Sequence, residues 1–444
     1  MYKIKPLEKI KKEIEIPPDK SISHRAAIIS SLAKGKTKIY PFLSSSDTLT
    51  TLNCLKKMGV DVKLQKDKTL IVEGCGFYFP KKEKVRLFAK DSGTTMRILS
   101  GVLSGQKFSS FFDASSSLRK RPMARITHPL RIMGARIQGK VVNSEEYPPL
   151  KIEPVNRLKG INYKLPIASA QVKSCLLLAS LYTQEETTII EPFLSRDHTE
   201  RMLLLFGANL ERKNKKIFLK RTKKINTPGK IFIPSDFSSA SFFIVLGLIL
   251  KDSELLIKNV NINPARCGLL NILRKMGAEI EIINKKDYFE PFADILVKSS
   301  SLKGVEVKEN QISLMIDEIP VLCVAASLAK GKTVIKGIKE LRVKETDRIY
   351  SMIHNLRKAK IDIKASSYQY KNKDDLLIEI KGGSPVASSF NSFSDHRTAM
   401  SMIILSLALK KESKIDEIKC IDKSFPQFIP LIESFYKGYH TSDI

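Results

Sequence analysis

An internal repeat constrains this chain more than any other feature. A helical segment ending in Met-Gly or Phe-Gly recurs as KKMGVDVKL around Gly59, RIMGARI around Gly134, LLFGANL around Gly207 and RKMGAEIEI around Gly277, at steps of 75, 73 and 70 residues. Each glycine follows a Lys/Arg-bearing helical stretch and precedes alternating apolar residues, which predicts a helix C-cap opening into a strand. Weaker copies follow in RKAKIDIKA near Lys360 and FYKGYH near Gly438. Self-similarity at a fixed period governs the whole architecture.

Upstream of each stop lies a second, more apolar helix: SHRAAIISSLA, TTMRILSGVL, QVKSCLLLASL, SASFFIVLGLIL, PVLCVAASLA and HRTAMSMIILSLAL. A helix that is apolar all round is predicted to be buried, whereas the helix before each stop is polar on one face. Each unit therefore reads as a buried helix, a strand (KTKIYPF, TTIIEPF, SELLIKN, KTVIKGI), an amphipathic helix and one or two further strands. Six units of about 74 residues fill the 444-residue chain, giving an α/β protein with helices packed inside sheets. The segment Asn226 to Pro234 and the pair Pro17-Pro18 are the expected chain crossings. They divide the chain into a domain of three units at 19–234 and a discontinuous domain of three units made of 1–18 plus 235–444.

Composition narrows the function. Apolar residues make up 43% and charged residues 27%, which excludes fibrous and low-complexity classes. The opening segment MYKIKPLEKIKKEIEI is charged throughout, and the longest apolar run, Phe242 to Leu250, falls far short of the roughly 20 residues a spanning helix needs. Neither a signal peptide nor a transmembrane helix is expected. The six cysteines (Cys54, Cys75, Cys175, Cys267, Cys323, Cys420) form no CxxC and no Cys/His cluster, so a reduced, cytoplasmic protein without zinc is expected. The formal charge of +30 comes from 57 Lys and 19 Arg spread along the chain without any Trp, and reads as a solvated surface rather than a nucleic-acid site. Attraction of small anionic substrates is compatible with the same charge.

Chemistry concentrates just before the buried helices, in Asp19-Lys-Ser-Ile-Ser-His-Arg25, Asp91-Ser-Gly-Thr-Thr-Met-Arg97, Ala168-Ser-Ala-Gln171, Ser235-Asp-Phe-Ser-Ser239, Asp317-Glu-Ile-Pro320 and Ser394-Asp-His-Arg397. Small hydroxyl residues and Gly serve there as helix caps. Capping does not explain the basic residue beside most of them, because a cation in the first turn opposes the helix dipole. Free helix N–H groups with a nearby Lys or Arg make an anion site, and several together point to a substrate with many negative charges. Further cations stand in Leu118-Arg-Lys-Arg-Pro-Met123, Arg342-Val-Lys-Glu-Thr-Asp-Arg348 and Asp422-Lys-Ser-Phe-Pro426. If the second of these is helical, Lys344 and Arg348 face one pocket with Glu345 beside them; the alternative is a solvent-exposed, salt-bridged turn.

The segments DKSISHR, DSGTTMR, RKRPM, SAQVKS, SRDHTE, RVKETDR, SDHRTAM and KSFP, from Lys20 to Pro426, stand in the order and approximate spacing of one family. In them the chain resembles the 3-phosphoshikimate 1-carboxyvinyltransferases, or EPSP synthases. The resemblance implies two globular domains, each of three βαβαββ units around inward-facing helices, an inside-out barrel. It also implies transfer of the enolpyruvyl group of phosphoenolpyruvate to the 5-hydroxyl of shikimate 3-phosphate with release of phosphate, a step of chorismate and aromatic amino acid biosynthesis. No cofactor and no metal are expected, and the enzyme is expected to act as a monomer without nucleic-acid or membrane partners.

Carried over residue by residue, the resemblance implies that Lys20 sits between the two substrates. Ser21, Arg25, Ser169, Ala170, Gln171, Arg196, Asp317 and Lys344 would hold shikimate 3-phosphate. Gly93, Arg121, Gln171, Arg348, Arg397 and Lys423 would hold phosphoenolpyruvate, since arginine's fork suits bidentate grips on carboxylate and phosphate. Asp317 matches the family's base for the 5-hydroxyl and Glu345 its acid for the methylene carbon, with Lys20 a further candidate for proton transfer. Because these residues are split between the halves, substrate-driven closure is expected, read as a more compact small-angle scattering profile on binding shikimate 3-phosphate. Asp91 stands where the family usually has Asn, which is expected to weaken binding of the phosphoenolpyruvate carboxylate. Ala170 replaces a Ser found in part of the family, leaving only a backbone contact. Gly93 is the family's small residue where glyphosate packs, so sensitivity to glyphosate is expected.

Two rivals differ in residues. A UDP-N-acetylglucosamine enolpyruvyl transferase would use a loop cysteine, and Phe111 to Met123 contains none. A basic RNA-binding or RNA-end-processing protein on a related fold would show salt-dependent RNA affinity. His128, His198, His354 and His440, with all six cysteines, are expected to be structural or surface residues.

Overall fold

The computed structural model describes residues 1–81 and 83–437. The repeat copy at Gly438, and His440, lie outside the described residues. The chain divides into two compact units, Pro18–Pro234, and Met1–Pro17 with Ser235–Ile444.

Within Pro18–Pro234 three sheets of four strands share one topology. Val85–Phe88 pairs in parallel with Ser110–Asp113, which pairs antiparallel with Glu145–Glu153, which pairs antiparallel with Arg136–Val142. The sheet Asn162–Lys164, Thr187–Ile190, Lys216–Leu219, Leu210–Lys213 repeats that order. In the remaining sheet the parallel strand comes from far along the chain: Lys230–Phe232 lies beside Lys34–Tyr40, followed by Leu70–Cys75 and Asp61–Leu64. Three helices carry the core, α1 (Lys20–Leu32), α2 (Gly93–Leu103) and α3 (Ala170–Ser180).

The unit formed by Met1–Pro17 and Ser235–Ile444 is built likewise around α4 (Phe237–Ile249), α5 (Ile319–Leu328), the amphipathic α6 (Arg348–Lys358) and α7 (His396–Leu407). Here too one parallel strand is borrowed. Lys11–Glu15 runs beside Glu254–Asn261, next to Phe292–Lys298 and Glu279–Lys286. The strand immediately before α4, Lys230–Phe232, serves the first sheet of the other unit instead. A second sheet orders Glu306–Val307, Lys332–Lys336, Lys373–Lys381 and Asp362–Tyr370. The sixth unit departs from the βαβαββ pattern: Ser389–Phe390 and Ser413–Ile415 are joined by Tyr2–Ile4, and among the described residues no closing hairpin follows.

The predicted buried helices are buried all round. Their serines do not oppose this, because in each of the six one hydroxyl turns back onto its own helix: Ser31 to Ile28 O, Ser100 to Met96 O, Ser180 to Leu176 O, Ser241 to Ser238 O, Ser327 to Val324 O and Ser406 to Met402 O, all at 2.6–2.8 Å. A satisfied hydroxyl costs little to bury, while each fully buried Phe, Leu or Ile contributes about 1.5–3 kcal/mol. Close approach fixes Gly101 of α2, since a Cβ there would meet Cys175 O of α3 at 2.0 Å. The repeated stops are left-handed C-caps, with φ of +89° at Gly59, +89° at Gly134, +80° at Gly207 and +94° at Gly277. In the fifth unit Lys360 takes that place at φ +64°.

Candidate active site

In Pro18–Pro234 the candidate residues stand at the N-terminal ends of α1, α2 and α3, except Arg121, which follows the short helix Ser116–Arg119, and Arg196. Asp19 caps α1 by accepting from Ile22 N at 2.9 Å, which sets Lys20 and Ser21 in the first turn. Lys20 Nζ lies 3.2 Å from Asp47 Oδ2, both side chains largely buried. Arg25 is buried, and its guanidinium donates to Thr199 Oγ1 at 2.7 Å, Ser174 Oγ at 2.8 Å and Ser21 O at 2.9 Å. Gln171 accepts from Arg97 Nη1 at 2.8 Å and donates to Thr94 Oγ1 at 3.0 Å. Ser169 spends its hydroxyl capping α3 at Val172 N, and Ala170 O accepts from the Ser174 hydroxyl.

Gly93 opens α2 between two cations. A Cβ built on it would lie 3.0 Å from Arg97 Nη1, 3.5 Å from Arg121 Nη1 and 3.6 Å from Leu118 Cδ1. Arg121 keeps a buried Nε without a hydrogen-bond partner, a donor available to an anion. Asp91, whose charge was expected to act on the ligand, accepts a hydrogen bond from the Ser115 hydroxyl.

Arg196 lies on the segment between Thr187–Ile190 and the helix His198–Leu205, and that segment is anchored by a buried lysine. Lys173 Nζ sits 3.1 Å from Glu191 Oε1, 2.7 Å from Glu200 Oε1 and 3.2 Å from Ser195 O. Burial raises the Glu200 carboxyl above its ordinary value even though Lys173 pulls it down. His24 is also buried, with Nδ1 2.7 Å from Thr51 Oγ1. Burial holds it well below the usual imidazole range, and the Lys20 and Arg25 cations add to that.

In the other unit Asp317 is the centre. Arg348 Nη1 lies 3.2 Å from its Oδ1, Arg397 Nη2 3.7 Å from its Oδ2, and Arg397 Nη1 donates to its backbone O at 3.1 Å. Asp395, the N-cap of α7, accepts from Arg348 Nε at 2.8 Å and from Arg397 N at 2.8 Å. Burial alone would lower the Arg348 pKa, yet Asp395, Asp317 and Glu345 raise it above its ordinary value. Behind Asp317, the buried Glu318 accepts from the Ser238 hydroxyl and lies 3.6 Å from Arg266 Nη1 and 3.9 Å from Arg397 Nη1. Glu345 Oε2 is 2.8 Å from His396 Nδ1.

Lys344 and Arg348 do not share a helix. A 3-10 turn, Lys339–Val343, stops at Lys344, and α6 starts at Arg348 behind its own cap Asp347, which accepts from Ile349 N and Tyr350 N at 3.0 Å. The Asp347 cap competes with helix continuation and breaks the i,i+4 relation. Lys423 ends another 3-10 turn, Lys419–Lys423. The Cys420 thiol reports its surroundings: burial pushes it up to about 12, with Glu417, Asp395 and Glu345 adding and Lys423 opposing.

Among the described residues Glu345, Asp395 and His396 have ligand atoms within 4.8 Å of one another. Asp395 is already engaged by Arg348 and two backbone N–H groups, so guanidinium charge occupies the place a cation would take. Sequence reasoning passed over Asp47, Arg97, Lys173, Asp395 and His396. Four of these lie inside quoted motifs or beside them; Asp47 carries no local signal, because its partner is 27 positions away.

In each unit cations and carboxylates stand at or near helix N-termini in repeated modules of one topology, an arrangement in keeping with the enolpyruvyl transferase class. The fold agrees: the crystal structure of the enolpyruvyl transferase NikO from Streptomyces tendae is similar at TM-score 0.74, 14% identical, covering 98% of this chain and 97% of that one. The family model for EPSP synthase (3-phosphoshikimate 1-carboxyvinyltransferase) matches residues 4–432, and the chain belongs to that family. The 3-phosphoshikimate 1-carboxyvinyltransferase of Petrotoga mobilis is 49% identical over 436 residues, 97% of this chain and 98% of that protein. That of Thermodesulfovibrio yellowstonii is 44% identical over 437 residues, 98% and 99% of the two chains. The structure of EPSP synthase from Acinetobacter baumannii is similar at TM-score 0.83 and 40% identity, covering 98% and 97%.

Proposed function

We propose that this chain transfers the enolpyruvyl group of phosphoenolpyruvate to the 5-hydroxyl of shikimate 3-phosphate, forming 5-enolpyruvylshikimate 3-phosphate and phosphate. The observation that carries the reading is the convergence of Arg348 and Arg397 on Asp317 in a chain that the EPSP synthase family model matches over residues 4–432. Two guanidiniums on one carboxylate orient it and keep further donors for an incoming anion.

In this reading Lys20, Ser21, Arg25, Ser169, Gln171, Arg196, Asp317 and Lys344, with the Ala170 backbone, hold shikimate 3-phosphate. Lys20, Gly93, Arg121, Gln171, Arg348, Arg397 and Lys423 hold phosphoenolpyruvate. Asp317 takes the proton of the 5-hydroxyl as its oxygen bonds to C2, and Glu345 or Lys20 delivers a proton to the methylene carbon. The tetrahedral adduct then loses that carbon's proton and expels phosphate, restoring the double bond. The 2.8 Å contact between His396 Nδ1 and Glu345 Oε2 suits a carboxyl that gives and takes back a proton. The relatives favour neither the UDP-N-acetylglucosamine enzyme nor an RNA-binding protein. The reading includes a monomer acting in the cytoplasm; among the described residues no helix is long and apolar enough to cross a membrane.

Phosphate release tests it. Release is expected only with both substrates present and is expected to vanish in Lys20→Ala; an intact protein that releases none with both overturns the reading.

A further inference from the structure

Helix α6 carries a polar stripe where a core-facing helix carries apolar residues. Arg348, Ser351 and Asn355, spaced i, i+3 and i+7, are 3%, 0% and 0% exposed. Each is answered from one short segment. Arg348 Nε donates to Asp395 Oδ2 at 2.8 Å, and Ser351 Oγ lies 3.0 Å from Thr398 Oγ1. Asn355 bonds Asn391 in both directions, Nδ2 to the backbone O at 2.8 Å and Oδ1 from the backbone N at 2.9 Å.

The segment so clamped is strained. Phe393 and Ser394 stand consecutively in the left-handed region, at φ +53° and +55°, where side chains bearing a Cβ are disfavoured. Phe393 N donates to Asn391 Oδ1 at 2.8 Å, and Ser394 N to Ser392 Oγ at 3.2 Å. The Phe393 ring stands edge-on to Tyr350 at 5.7 Å and to His354 at 5.4 Å, both on α6. Such a conformation persists only where its surroundings over-determine it. Immediately beyond it come Asp395, which holds Arg348, and Arg397, which reaches Asp317. Relaxing 393 and 394 to ordinary dihedrals would swing Asp395 off Arg348 and move the first turn of α7.

We propose that Asn355 is a positioning residue for the phosphoenolpyruvate half of the reaction, clamping the strained segment so that Arg348 and Arg397 stay in register on Asp317. The proposal rests on the reading above, in which those two arginines receive phosphoenolpyruvate. Asn355 sits two helical turns beyond Arg348 and acts through it.

Steady-state phosphate release by the full chain, varying each substrate in turn, tests the clamp in Asn355→Ala and Asn391→Ala. The KM for phosphoenolpyruvate is expected to rise about tenfold in the first and about threefold in the second, with the KM for shikimate 3-phosphate changed less than about twofold. A drop in kcat with both KM values unchanged marks only a smaller folded fraction and overturns the assignment. Asn391 is half-buried, and its replacement removes one turn acceptor. If Asn355→Ala yields no folded protein, Asn355→Asp, which keeps the acceptor for Asn391 N and loses the donor to Asn391 O, takes its place, and an unchanged KM for phosphoenolpyruvate there overturns the proposal. Wild-type chain that releases no phosphate defeats the underlying reading instead, whereas active wild type with unaltered variants defeats the clamp alone.

Discussion

Arg25 and Thr199, 174 positions apart, meet at 2.7 Å through Nε and Oγ1, both buried. The contact joins the first repeat of its unit to the third and fixes the guanidinium before any ligand arrives, so binding loses less rotamer freedom.

Thr199→Val keeps the shape and deletes the acceptor. Leaving a buried guanidinium N–H unpaired costs about 1–3 kcal/mol, so urea unfolding is expected to show a loss of that size. Affinity for shikimate 3-phosphate is expected to fall about tenfold by calorimetric titration, equivalent to about 1.4 kcal/mol. Unchanged affinity would remove Arg25 from the phosphate grip.

Lys173→Met strands two buried glutamates. Breaking a buried pair from one side costs about 3–5 kcal/mol. The loss is expected to grow with pH. Glu200 is raised by burial, so the folded state holds its proton better than the unfolded chain, and stability falls as pH climbs from about 4.3 through the folded value. Removing Lys173 takes away the cation that lowers it and extends that window upward. Urea midpoints at pH 5 and pH 8 check this; equal losses at both would contradict it.

His24 contributes with the opposite sign. It stays neutral in the fold, while the unfolded chain takes up a proton below about pH 6.5, so stability is lost as pH falls through that value. One such group adds up to about 1.4 kcal/mol per pH unit between pH 6.5 and 5. His24→Asn is expected to flatten the slope of unfolding free energy over that interval; a slope identical to wild type refutes the assignment.

Gly93→Ala places a methyl 3.0 Å from Arg97 Nη1. That contact is tight but ends on a movable side chain, so the fold is expected to survive with an unchanged thermal midpoint. The displaced guanidinium is expected to raise the KM for phosphoenolpyruvate about tenfold, leaving that for shikimate 3-phosphate alone. An unaltered KM for phosphoenolpyruvate would place Gly93 outside that site.

Much of this architecture was legible because the repeat writes each helix stop as a glycine that needs positive φ, at Gly59, Gly134, Gly207 and Gly277. The helix-start motifs were legible because capping and anion binding use the same few residue types. What escaped was long-range pairing. Nothing near Lys230–Phe232 says that it belongs beside Lys34–Tyr40, since a parallel partner is chosen by tertiary packing rather than by local pattern. At Lys344 and Arg348 the sequence left two readings open, and the salt-bridged turn holds: their spacing is helical, but Asp347 between them caps α6 and lies 3.7 Å from Arg342 Nε. Asn355 belongs to none of the motifs singled out in the sequence, and only its buried place in the fold sets it apart.

The borrowed strand Lys11–Glu15 also sets an order of events. Ile10 N bonds Ser253 Oγ across 243 positions, so on a translating ribosome this early segment waits, unpaired, for its sheet to be made. Meanwhile Pro18–Pro234 emerges with every strand of its three sheets in hand and can close first. A chain cut after Pro234 therefore leaves one self-sufficient body trailing two unmatched strands, Tyr2–Ile4 and Lys11–Glu15, edges inviting association with whatever sheet they meet.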